Sequence, residues 1–269
     1  MNYELTIGWL YPELMSTYGD RGNIICLQKR CEWRNIGVKI KILDLGFKIY
    51  DLRMCDLIFM GGAQDKQQKI VSHDFSIQKV KLLKEMIEEG TPGLYICGAY
   101  QFLGKYYKEA GGNIIDGLGI LDLYTENPGE NHKRLIGNIA VEIYDLRFKI
   151  YENEKKNHKS YFINHKSTLV GFENHGGKTY LGKNIQALGK VIKGFGNNGI
   201  DKTEGAIYKN SFGSYLHGPI LPKNPHLTDY LIRLALEKKY KNPINLSPLD
   251  DSLERQTHNA IANRLGISV

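Results

Sequence analysis

The sequence predicts an α/β protein built on a parallel, doubly wound sheet. Three observations carry this. Short apolar runs alternate with segments of helical spacing from residue 5 to about 110. The run Leu57 to Met60 is short and uncharged, as a strand covered on both faces is. Three of the runs end in polar or glycine-bearing loops, and ligands gather at the carboxyl ends of such strands.

Taken in order, Leu5 to Tyr11 is a strand, stopped by Pro12, which cannot donate to a ladder. The polar loop Ser16-Thr17-Tyr18-Gly19-Asp20-Arg21-Gly22-Asn23 leads into a helix from about Asn23 to Arg34, with Ile24, Leu27 and Cys31 on one face. Gly37 closes that helix and Val38 to Leu43 alternates as a strand. Leu57 to Met60 ends in Gly61-Gly62-Ala63-Gln64-Asp65. A helix over Ser76 to Glu89 carries Val80, Leu83 and Ile87, and Gly90 and Pro92 stop it. The next apolar run ends at Cys97, small residues follow, and helical spacing begins at once.

From Gly112 to about Tyr215 the chain reads as short β-like runs: Ile136 to Ile143, Tyr161 to Ile163, Thr179 to Leu181 and Gly205 to Tyr208. The very polar stretch 151–160 reads as a hairpin tip or surface insertion. Asp229 to Tyr240 is a helix, and the tail 248–269, with Leu253, Ile261 and Leu265, is a further helix packed on the body or on a partner. No repeat or long linker divides residues 1–269, so one domain is expected.

Composition narrows the class. The apolar runs fall short of a membrane span and Met1 to Leu5 lacks the build of a signal peptide, so a cytoplasmic chain is expected. The four cysteines, Cys26, Cys31, Cys55 and Cys97, form no Cys-x-x-Cys pair, which suggests neither a metal site nor a disulfide frame. The net charge of +7 is scattered, with small clusters at Lys155-Lys156 and Lys238-Lys239. That fits a solvated basic surface or an anionic substrate better than nucleic acid.

The chemistry centres on Cys97. A side chain at a sharp strand-to-helix turn stands clear of the sheet, at a helix N-terminus that favours an anion. Thiol pKa values fall in such places, and the thiolate is the nucleophile. A buried cysteine closing a core strand is the competing reading. A base is needed nearby. His217, on Tyr215-Leu216-His217-Gly218-Pro219, is the first candidate and His175, in Phe172-Glu173-Asn174-His175-Gly176-Gly177, the second, in a setting that suggests a tight turn. The other six, His73, His132, His158, His165, His226 and His258, lie in polar stretches and read as surface groups. Backbone amides near Gly98 and Gly62 are candidates for stabilising an oxyanion, and Arg134 for gripping a carboxylate.

These segments resemble the class I glutamine amidotransferases, in their cobyric-acid-synthase-like branch. The nucleophile turn of the class is similar to Cys97-Gly98-Ala99-Tyr100-Gln101. The likeness extends in order through Tyr18 to Asn23, Gly61 to Asp65, Lys133-Arg134-Leu135-Ile136-Gly137-Asn138, Gly171 to Gly177 and Tyr215 to Pro219. The resemblance implies a flavodoxin-like fold with a parallel central sheet and extra β-rich segments in the second half. It implies hydrolysis of glutamine to glutamate and ammonia, with Cys97 as nucleophile, His217 as base and Arg134 as the glutamine-binding arginine. Gln101, Asn174, His175 and Asp20 are secondary candidates. Within the branch the likeness is strongest to chains that supply ammonia for amidation of lipid II. A Mur-ligase-like partner, holding ATP and magnesium, would then amidate the D-glutamate α-carboxyl to D-isoglutamine. No phosphate-binding loop with its lysine occurs here, and no cofactor is expected in this chain.

Two departures stand out. Tyr95 lies two before the cysteine, where many relatives carry glycine. The class places glutamate two after the histidine, and this chain has Pro219. The group that orients His217 is therefore expected to be dispensable or to come from the partner, with Glu204 and Asp20 as in-chain alternatives. Rival readings are an ammonia supplier for cobyrinate-type amidation, a non-catalytic regulatory subunit, and a flavodoxin-like cysteine hydrolase or chaperone unrelated to glutamine.

Overall fold

A computed structural model describes residues 3–143 and 167–268. Tyr161 to Ile163 and the polar stretch 151–160, with His158 and His165, lie outside the described residues. The first half runs β1 (Glu4–Leu10), α1 (Arg21–Glu32), β2 (Gly37–Leu43), α2 (Ile49–Arg53), β3 (Leu57–Met60), α3 (Asp65–Asp74), α4 (Ile77–Glu88), β4 (Gly93–Ile96) and α5 (Gly98–Phe102). Then come β5 (Tyr106–Lys108), β6 (Ile114–Asp116), β7 (Leu123–Glu126), β8 (Leu135–Ile143), β9 (Ser167–His175), β10 (Lys178–Leu181) and β11 (Gly189–Lys193). The chain closes with β12 (Thr203–Glu204), β13 (Ala206–Tyr208), β14 (Ser211–Ser214), α6 (Ile220–Lys223), α7 (Pro225–Tyr240) and α8 (Ser252–Arg264).

The central sheet has the order β13-β14-β4-β3-β1-β2 and is parallel except for the β13–β14 hairpin. Both β3 and β4 are buried at every residue, which is why they read as unbroken apolar runs. Their carboxyl ends, with that of β14, open on one edge, and the three loops singled out in the sequence meet there. Two smaller sheets, β10-β7-β5-β6 and β12-β11-β8-β9, flank that edge. The α/β architecture with a parallel sheet and a β-rich second half is the one expected.

Helix α4 starts where the sequence places it, because the Ser76 side chain caps the Lys79 amide. Several elements escape the pattern, among them the short strands β5, β6, β7, β11, β12 and β14 and the helix α6, and three are instructive. Helix α3 buries only Gln68 and Val71, so it has no apolar stripe to read. Helix α2 is five residues long. Strand β9 is interrupted by Gly171 and polar at its end, and it makes the segment before His175 a strand, with the turn falling after it at Gly176-Gly177.

The C-terminal helix settles on the body. Ala262, with Ile261 and Leu265, packs on Ala140 of β8 and Val170 of β9. Asp251, just before α8, binds Arg30 of α1 at 2.6 Å, and Arg30 also bonds Asp229 of α7 at 2.6 Å. Arg34 adds a second fork to Asp229 at 2.7 Å. Four charged groups thus tie α1, α7 and α8 together. His226 and His258 correct the surface reading: they face each other across α7 and α8 at 6.3 Å between ring centroids. Burial, with His258 beside it, pushes the His226 ring down to about 4. Their neighbours in sequence are polar, but tertiary packing leaves both residues half-buried.

Candidate active site

Cys97 is the hinge between β4 and α5. Its backbone adopts φ 51° and ψ −102°, outside the favoured regions for a residue with a Cβ. Strain of this kind costs on the order of 1–3 kcal/mol and persists only where the surroundings impose it. Here they do. The Cys97 amide donates to Ser214 O at 2.8 Å, and its carbonyl accepts from the Gln101 amide at 3.0 Å. The sulfur consequently stands off the end of the sheet. Gly98 is required by close approach, since a methyl group there would lie 2.7 Å from the Ala63 nitrogen. The Ala63 nitrogen lies close to Gly98, and neither amide has a bonded partner among the described residues. Burial pushes the Cys26 thiol up to about 11 and those of Cys31 and Cys55 up to about 12.

His217 lies at the end of the segment that continues β14. Its peptide bonds Phe172 of β9 in both directions, at 2.7 and 3.2 Å, so the third sheet holds the histidine's backbone. The ring is fully buried. Nδ1–H donates to Asp20 Oδ1 at 3.2 Å, and Tyr18 meets the ring edge-on at 5.0 Å. Burial opposes the charged ring, but the neighbouring Cys97 and Asp20 outweigh it and raise His217 to about 10. Among the described residues Nε2 has no hydrogen-bond partner, which leaves it for Cys97 and for whatever reacts there.

Three sequence expectations change at this point. The group on Nδ1 in this structure is Asp20, the in-chain alternative, on the loop after β1. Glu204 is not on the histidine: it accepts from Ser214 Oγ and the Tyr215 amide at 2.8 and 2.7 Å, and burial raises it to about 8. Gly62 does not offer its amide to the cleft, because that N–H donates to Asp20 Oδ2 at 2.6 Å. Its missing side chain instead admits the histidine, whose Cε1 would lie 2.7 Å from a methyl group at that position. The Ala63 amide, next in the loop, has no bonded partner among the described residues.

A cleft of about 570 Å³ opens beside Cys97, walled by Tyr18, Gln101, Arg134, Asn174 and His175 among others. Arg134 stands exposed at the head of β8 and bonds Asn174 twice, to Oδ1 and to the carbonyl, each at 3.0 Å. Asn174 in turn donates to the Tyr18 hydroxyl at 2.9 Å. Arg134 and Cys97 thus line the same cleft, with the guanidinium held by Asn174. His175 and Gln101 are wall. The His175 ring stacks on Tyr215 at 3.6 Å and its Nδ1–H donates to Gly177 O at 2.7 Å. Gln101 donates to the Tyr215 hydroxyl and accepts from Gln68, both at 3.0 Å. Tyr95 is buried in the core against Gly93 and takes no part in the cleft. Tyr18 and Asp65 also line the cleft and were not singled out beforehand; both lie in segments whose glycines drew attention first.

The description of a CobB/CobQ-like glutamine amidotransferase domain matches residues 6–225. The chain belongs to that family. Over 264 residues this amidotransferase is 42% identical to the Staphylococcus aureus strain N315 lipid II isoglutaminyl synthase (glutamine-hydrolyzing) subunit GatD, covering 97% of this chain and 96% of the relative. The Streptococcus pneumoniae R6 subunit of the same name is 39% identical over 94% of this chain and 89% of its own. A probable cobyric acid synthase of Methanothermobacter thermautotrophicus is 27% identical, over 80% of this chain but 39% of that protein. In three dimensions the glutaminase domain of Trypanosoma brucei CTPS, with bound acivicin, shares the fold at a TM-score of 0.53 and 12% identity, over 90% of this chain and 96% of that one. No helix among the described residues is long and apolar enough to cross a membrane.

Proposed function

We propose that this amidotransferase is the glutaminase subunit of a lipid II isoglutaminyl synthase, working through a thioester on Cys97. The observation that carries the reading is a strained cysteine turn beside a histidine whose second nitrogen is already fixed. The α-carboxylate of glutamine binds Arg134, and the side-chain amide lies at the sulfur. The Cys97 thiolate attacks the amide carbon, forming the C–S bond, while the amides of Gly98 and Ala63 hold the developing oxyanion. His217 gives its Nε2 proton to the leaving nitrogen, the C–N bond breaks, and ammonia departs. Water then loses a proton to Nε2 and adds to the thioester carbon. The C–S bond breaks, returning the thiolate and glutamate.

Ammonia passes to a Mur-ligase-like partner that activates the D-glutamate α-carboxyl of lipid II with ATP and magnesium. The near full-length likeness to the two GatD subunits favours this acceptor over a cobyrinate-type one, whose relative matches across little more than a third of its own length. The test supplies glutamine labelled with ¹⁵N in its side-chain amide to the chain, the partner, ATP and lipid II. Mass spectrometry should find the label in the stem peptide. Ammonia release with no label in the stem would overturn the acceptor.

Arg134→Lys tests the grip on substrate. Lysine cannot reproduce a planar fork held by Asn174, and a charge-assisted pair of this type is worth about 1.5–3 kcal/mol. KM for glutamine should rise roughly 10- to 100-fold, with kcat changing much less. A fall in kcat at constant KM would place Arg134 elsewhere in the reaction.

A further inference from the structure

We propose that the Tyr18 hydroxyl is a second hydrogen-bond donor to the α-carboxylate of the substrate, working beside Arg134 to favour an amino acid over a simple amide. The inference rests on the reading of Cys97 and Arg134 given above and adds a residue to it.

Tyr18 has an unusual backbone. At φ 53° and ψ 30° it occupies the left-handed region, where a bulky side chain is rarely found. Gly19 follows at φ 83°. The turn is anchored on both sides: the Thr17 amide donates to Gly62 O and the Asp20 amide to Thr17 O, each at 3.2 Å. The core does not demand a tyrosine here, because the residue is 49% exposed. Strain kept at an exposed side chain on a cleft wall points to a ligand clamp. The conformation lays the ring against His217 at 5.0 Å and carries the hydroxyl to Asn174.

The bonding of Asn174 fixes what that hydroxyl can do. Arginine has donors only, so the side-chain oxygen of Asn174 must face Arg134 Nε, at 3.0 Å. Its NH₂ group is thereby turned to Tyr18 and donates to the hydroxyl oxygen at 2.9 Å. The hydroxyl accepts this bond and makes no other among the described residues, so its own hydrogen is free to donate. That O–H and the Arg134 guanidinium therefore meet on one asparagine, in the wall of the cleft that Cys97 lines. A carboxylate has two acceptor oxygens, and a guanidinium with a phenol beside it satisfies both.

Tyr18→Phe keeps the ring against His217 and removes only the hydroxyl. It should raise KM for glutamine roughly 10-fold, with kcat changing much less, because the α-carboxylate is remote from the amide that reacts. Calorimetry makes the same comparison without turnover: glutamine should bind Cys97→Ala about 10-fold more tightly than Cys97→Ala carrying Tyr18→Phe. Iodoacetamide, which has no carboxylate, should alkylate Cys97 equally fast in the wild type and in Tyr18→Phe. Equal glutamine affinity in the two chains overturns the proposal. A matching loss of iodoacetamide reactivity does so too, since the whole site would then have moved. Glutamine that binds but releases no ammonia would sink the proposed function and leave the affinity comparison to decide Tyr18, whereas no binding to either chain overturns both. Tyr18→Gly suits the left-handed backbone, so its melting temperature should hold or rise while KM for glutamine increases at least as much. A clear fall in melting temperature with KM unchanged would make Tyr18 a structural residue and overturn the assignment.

Discussion

Cys97→Ala is expected to abolish ammonia release from glutamine, by at least about four orders of magnitude, with little change in thermal stability. The sulfur is the one atom able to carry the acyl group between the two steps, and the cleft offers no substitute nucleophile at the same turn. The backbone around it is set by the Ser214 and Gln101 bonds, which alanine retains. A glutaminase assay beside a melting curve checks both halves. Residual turnover near the wild-type rate would remove the nucleophile assignment, and loss of the melting transition would show that the cysteine is needed for the fold.

Arg30→Ala should destabilise the protein by about 3–5 kcal/mol, the usual cost of breaking a buried ion pair on one side. Arg30 is 1% exposed and bonds both Asp229 and Asp251. Its removal leaves Asp251 without its guanidinium partner and Asp229 with Arg34 alone. The loss comes mainly from stranded carboxylates, because a paired buried charge contributes little net stability. Urea denaturation of the variant measures it directly. A change below about 1 kcal/mol would mean that water reaches the cluster and screens it.

The parallel half of the fold was legible because its strands are short, apolar and separated by helices with clear stops. Helix α3 and strand β9 were not, for a common reason. Helix α3 buries only Gln68 and Val71, and β9 buries polar Glu173 and His175 beside its apolar residues, so neither shows a clean apolar period and packing contributed by distant residues decides its conformation. The same holds in the site. Cys97, His217 and Arg134 stand out as residue types in suggestive settings; the fold brings Cys97 and Arg134 to one cleft and buries His217 beside Cys97. The relation between Asp20 and His217 spans 197 positions, and no local pattern carries it. Gly62 drew attention for the right glycine and the wrong atom: sequence shows that backbone comes close to something, but not that the visitor is an imidazole and a carboxylate. The His226 and His258 pair fails the same way, since polar neighbours in the chain say nothing about what lies across two helices.

The backbone bridge between Phe172 and His217 has a mechanical meaning. Strand β9 pairs along its whole length with β8, which begins beside Arg134, and it carries Asn174 two residues beyond the bridge. Arg134 and His217 are thus mounted on one ladder, like two jaws cut from the same bar. The distance between them is set by strand register, so a one-residue slip in the β8–β9 pairing would move Arg134 along the ladder while leaving His217 where it is. Length is consequently constrained on both strands within the paired region.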